Sequence, residues 1–141
     1  MDGEKLQITK LIGASPARVF EAWTSPELMR QWFAPEPMTA NISELDARPG
    51  GRFRVEMHDP SGGVHTAAGT YKEVENGTRL VFSWSWEGSE MPETQVTVDL
   101  KPHGEQTELV LTHEGFPSAE AKDQHLDGWS KSTSKLAELM S

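Results

Sequence analysis

The apolar residues of this chain change period three times, and the order of those changes leaves few folds open. Lys5 to Ile12 alternates as a strand does, with Leu6, Ile8 and either Lys10 or Ile12 on one face, and Gly13-Ala14 ends it. The period then lengthens. Ser15 is a good N-cap and Pro16 suits a first helical position, so Val19, Phe20 and Trp23 mark a short helix to about Thr24. Ser25 and Pro26 repeat that opening, Leu28, Met29, Trp32 and Phe33 form the next stripe, and Pro35 and Pro37 stop it.

After residue 38 the period falls to two. Thr39 to Leu45 is a weak strand candidate, and Arg52 to His58 a clean one with Phe53, Val55 and Met57 on one side. The turn at 59–63 leads to Val64–Val74, with Ala67, Gly69 and Tyr71 on one face; Asn76-Gly77 turns again. Arg79 to Trp86 sets Leu80, Phe82, Trp84 and Trp86 together. Thr94 to Lys101 sets Val96, Val98 and Leu100 together, and Thr107 to His113 sets Leu109, Leu111 and His113 together. Ser118 then caps a last helix whose stripe is Leu126, Trp129, Thr133, Leu136 and Met140. Its four large side chains would bring roughly 6–12 kcal/mol gross, at about 1.5–3 each.

That order predicts an α+β fold in one domain, residues 1–141: a curved antiparallel meander of about six to seven strands around a long C-terminal helix, with two short helices after the first strand. Curvature needs bends, for which Gly50, Gly51 and Gly69 are candidates. With 13 basic residues against 22 acidic, net charge −9, the chain is a poor nucleic-acid binder. No apolar run approaches the ~20 residues of a membrane span. The opening MDGEKLQITK lacks the pattern of a signal peptide. No Cys is present, which excludes disulfides, thiol catalysis and Cys-based metal sites. A cytoplasmic location is expected.

The chain resembles a known family in SPARVFEAWTSPELMRQWFAP (15–35), RPGGRFR (48–54), GTYKEV (69–74), RLVFSW (79–84), TELVLTHEGF (107–116) and Gly128-Trp129. These look like the activator of heat-shock protein 90 ATPase homologues, of the START-like or SRPBCC superfamily with the helix-grip, birch-pollen-allergen-like fold. The resemblance spans about residues 6–140. It implies a hydrophobic ligand cavity between sheet and long helix, or a co-chaperone role. It carries no catalytic motif that transfers onto these residues.

Five Trp is generous for this length. Trp23 and Phe53 read first as core; Trp84, Trp86 and Trp129 read equally as pocket lining, because the sheet face that meets the long helix is the cavity face of this fold. The residues expected to form a pocket for an apolar or amphipathic small molecule are Phe53, Val55, Tyr71, Trp84, Trp86, Val98, Leu111, His113, His125 and Trp129. Met29, Met38, Met57 and Met91 would suit an adaptable cavity as well as an ordinary core.

Among His58, His65, His103, His113 and His125 no pair has metal-ligand spacing, although His58 and His65 flank one hairpin turn. No metal or cofactor is expected. Glu44, Asp46 and Glu56 form no opposed acid pair, and no nucleophile elbow or phosphate loop exists. An enzyme of cyclase or hydrolase type, with His113, Tyr71 or His125 as acid–base group, is therefore the least supported reading, and no catalytic residue is assigned. Binding to a chaperone through the surface stands as the alternative to ligand binding. Trp32-Phe33, expected to be exposed, would offer a homodimer patch or a cavity lid.

Overall fold

The computed structural model describes residues 4–140; residues 1–3, the start of the stretch read for a signal peptide, lie outside them. Alternation becomes strand wherever it was expected. The elements are β1 (Glu4–Ile12), α1 (Pro16–Thr24), α2 (Pro26–Met29), β2 (Thr39–Leu45), β3 (Arg52–His58), β4 (Val64–Glu75), β5 (Arg79–Trp86), β6 (Thr94–His103), β7 (Gln106–Phe116) and α3 (Ala119–Leu139). The seven strands form one antiparallel sheet in the order β1-β7-β6-β5-β4-β3-β2. Strands β2 to β7 are thus a plain meander, and β1 closes onto the last of them, Ile8 lying opposite Leu111.

The sheet bends where its ladder slips, between Ile42 and Glu44 and between Tyr71 and Glu73. Gly69 also belongs to this bend. A Cβ there would lie 1.8 Å from the Ser83 carbonyl oxygen and 2.6 Å from the Phe53 ring, so only glycine lets β4 approach β5 so closely. Gly50, at φ +87°, takes a left-handed turn before β3.

The concave face collects the inward residues of each strand. Leu6, Ile12, Phe53, Val55, Ala67, Tyr71, Leu80, Phe82, Val96, Val98, Leu109 and Leu111 are all buried. On β1 the alternation puts Ile12 in the core, and Lys10, of the same parity, stretches to the Ser134 hydroxyl on α3 at 3.1 Å. The long helix lies mainly along β1 and also packs on β7. Ser118 caps it by accepting from the Ala121 N–H, as Ser15 caps α1 by accepting from the Arg18 N–H.

Two expectations for the second helix are corrected. Ser25 makes no side-chain cap bond, and α2 is one turn rather than a stripe running to Phe33. The Ser25 N–H is already the last donor of α1, bonded to the Glu21 carbonyl, so one residue joins two helices. Nor is the pair Trp32-Phe33 exposed: both are buried, at 0% and 1%. Trp32 donates its indole N–H to the Ala22 carbonyl, and Ser132 and Lys135 of α3 donate to the carbonyls of Phe33 and Ala34. Those bonds draw the segment inward under the last helix. No helix among the described residues is long and apolar enough to cross a membrane.

Candidate functional site

Strand β5 carries Phe82, Trp84 and Trp86 along one face, from deep core to half-exposed rim. The first half of α3 crosses above that rim. Residues Gln124, Gly128 and Ser132, with His125 and Trp129 beside them, recur at helical spacing and share a face. The segment after α2 supplies Phe33, Pro35 and Met38, and β3 supplies Met57. These residues line a cavity of about 230 Å³ that opens between α3 and the sheet. Gly128 keeps part of it empty: a Cβ there would sit 3.9 Å from the Pro35 ring, in ordinary contact and unstrained.

The cavity walls are aromatic. Trp84 lies 5.2 Å from Trp129 and 5.5 Å, edge to face, from Trp86; Phe33 meets Trp129 edge to face at 5.4 Å.

Two Trp–His hydrogen bonds join sheet to helix, in opposite senses. Trp86, on the sheet, donates to His125 Nε2 on the helix at 2.8 Å. Trp129, on the helix, donates to His113 Nδ1 on the sheet at 3.0 Å. An indole N–H only donates, so each accepting ring nitrogen is unprotonated, and this fixes both tautomers. His125 carries its proton on Nδ1 and donates it to the Ala121 carbonyl at 2.7 Å. His113 carries its proton on Nε2 and donates it to Thr94 Oγ1 at 2.7 Å, and Thr94 donates on to the Trp84 carbonyl. Both imidazoles are neutral with both nitrogens occupied. Burial drives the His113 pKa down to about 2, with His125 nearby adding to the effect. Burial also lowers His125, against the upward pull of its bond to Ala121.

Of the ten residues expected to line a pocket, Trp84, Trp86, His125 and Trp129 line this cavity. Phe53, Val55, Tyr71, Val98, Leu111 and His113 lie in the packed interior behind it, the least buried of them, Tyr71, at 2% exposure. Phe53 fills the space beneath Trp84 at 6.1 Å and packs on Tyr71 at 5.8 Å. Burial raises the Tyr71 hydroxyl well above its ordinary pKa, so it stays protonated. Phe33, Pro35, Met38, Met57, Gln124, Gly128 and Ser132 complete the lining. Gln124, Gly128 and Ser132 could have been found by stepping along the helix face from His125 and Trp129. Elsewhere, His65 bonds the Asp59 carboxylate at 3.1 Å and lies opposite Met57 rather than His58. Among the described residues no group of three or more His, Cys, Asp or Glu is placed to hold a metal ion.

A family model described as "Activator of Hsp90 ATPase homolog 1-like protein" matches residues 13–141. No curated protein matches the sequence. Among solved structures, a protein from Chromobacterium violaceum is 28% identical, with a TM-score of 0.91 over 96% of each chain. One from Nitrosomonas europaea is 26% identical, with a TM-score of 0.80 over 96% of this chain and 92% of its own. One from Silicibacter pomeroyi, 23% identical with a TM-score of 0.86 over 96% of each chain, shares the fold.

Proposed function

Since the chain belongs to the family of activator of Hsp90 ATPase homolog 1-like proteins, we propose that it binds a small apolar or amphipathic molecule in the cavity between β3, β5 and α3. The observation that carries this reading is the aromatic-walled space of about 230 Å³ that opens between the last helix and the sheet, beside the buried core. A native core closes such spaces, because an empty one forfeits dispersion contacts on every wall. Binding would be driven by burying ligand surface against Phe33, Trp84, Trp86 and Trp129.

Gly128→Leu tests this without disturbing the core. The new side chain enters the cavity past Pro35, and replacing a helical glycine adds about 1 kcal/mol of helix stability. Ligand binding, read as a rise in thermal midpoint, is expected in the native protein and lost in the variant, whose own midpoint is equal or higher. Unchanged binding in Gly128→Leu would reject this cavity as the site.

The family description favours a second reading, a surface interaction with an Hsp90-type chaperone. That reading expects the protein to stimulate chaperone ATPase activity at saturating concentration, in Gly128→Leu as in the native chain. A flat response in both removes it.

A further inference from the structure

Resting on the reading of this cavity as a ligand site, we infer that its ligand is an uncharged, flat molecule of one or two fused aromatic rings, and not a carboxylate or a long acyl chain. Size is the first argument. The cavity measures about 230 Å³. An engineered cavity of ~150 Å³ accepts benzene, so this one takes a ring system somewhat larger. A membrane-lipid tail would project from its open mouth and leave much of its apolar length in water.

Charge is the second argument. No Lys, Arg, Asp or Glu lines the cavity. The titratable side chain in the wall, His125, is neutral and has both nitrogens committed, to the Ala121 carbonyl and the Trp86 N–H. The Ser132 hydroxyl proton is spent on the Phe33 carbonyl. The lining side chains retain only weak, neutral capacity: the half of Ser132 that accepts, the unpartnered and buried Trp84 N–H, and the Gln124 amide at the exposed rim. An anion seated against the inner wall would surrender its hydration and find no cation in return. A neutral ring would lie against indole faces and edges, with any polar substituent turned toward Gln124.

The test is calorimetric titration of the whole protein at pH 7.5 with 2-acetonaphthone, 2-naphthoate and palmitate, repeated with Gly128→Leu. The expected result is binding of acetonaphthone, at least about tenfold weaker binding of naphthoate because of its unpaired charge, and none of palmitate. Acetonaphthone binding is expected to vanish in Gly128→Leu. Naphthoate or palmitate binding as tightly as acetonaphthone, and disappearing in Gly128→Leu, overturns the neutral-ring inference and leaves the cavity as a ligand site. Binding that survives Gly128→Leu, or no binding by any of the three, overturns the cavity reading itself.

Discussion

Trp129→Ala is expected to cost about 3–5 kcal/mol, the range for deleting a buried tryptophan, which is much of the ~5–15 kcal/mol a domain has in total. Trp129 is 4% exposed and is the residue on which the two layers meet. It stacks on Trp23 at 6.0 Å, packs against Trp84 and Phe33, and donates its N–H to His113. Alanine removes the ring and leaves a buried imidazole nitrogen without its donor, a penalty of about 1–3 kcal/mol when nothing replaces it. Trp129→Phe keeps one six-membered ring but loses the donor and part of the ring volume, so it should fall between. Urea denaturation of the three proteins measures the order. An alanine variant within about 1 kcal/mol of the native protein would show that α3 is not held through this side chain.

Acid should weaken the fold well before its carboxylates titrate. His113 is neutral when folded, with its pKa held down at about 2, and takes a proton at about 6.5 when unfolded. Below pH 6.5 the unfolded chain therefore binds a proton that the native state refuses, and stability falls as pH falls. Between pH 7 and pH 5 this amounts to about 2 kcal/mol. His125, also depressed, acts in the same direction. The depressed acids act lower. Asp59 is held down at about 2 by the Ser61 hydroxyl, the Gly63 N–H and His65; Glu56 is lowered by Asn41 and Arg54, and Glu87 by Arg54. What they contribute is present above their unfolded values and is lost progressively as pH falls below about 5. Denaturation midpoints at pH 7, 6 and 5, with NMR titration of the His113 ring, separate the two windows. A His113 that gains its proton near pH 6 in the folded state would refute this account.

Most strands were legible because their large apolar residues fall on alternate positions. Arg52–His58 and Arg79–Trp86 alternate so regularly that a register slip would turn three or four large apolar residues to water. The long helix was legible from Ser118 and its stripe. What the sequence could not show was how the segment after α2 lies. Trp32 and Phe33 looked like surface beside two prolines, and their burial rests on bonds from Ser132 and Lys135, about a hundred residues away. The candidate site suffered for the same reason. Inward parity put Phe53, Val55, Val98, Leu111 and His113 on the correct face. Which of them meets empty space depends on how far α3 and the Phe33–Met38 segment cover that face, and periodicity carries no such information. The tautomers of the two histidines were equally out of reach, because their tryptophan donors lie 16 and 39 residues away in the chain.

The sheet order has a consequence for how the molecule is made. Strand β1 is synthesised first, yet its hydrogen-bonding neighbour is β7; Gln7 and Thr112, which bond across that seam, are separated by 105 positions. During translation β1 must wait with both edges unpaired while the intervening hairpins assemble beside one another. Closing so long a loop is slow, and α3, which rests on β1, follows even β7 in the chain. The β1–β7 seam and the packing of α3 on β1 therefore form only after every intervening strand has been made, and until then the sheet lacks its last pairing.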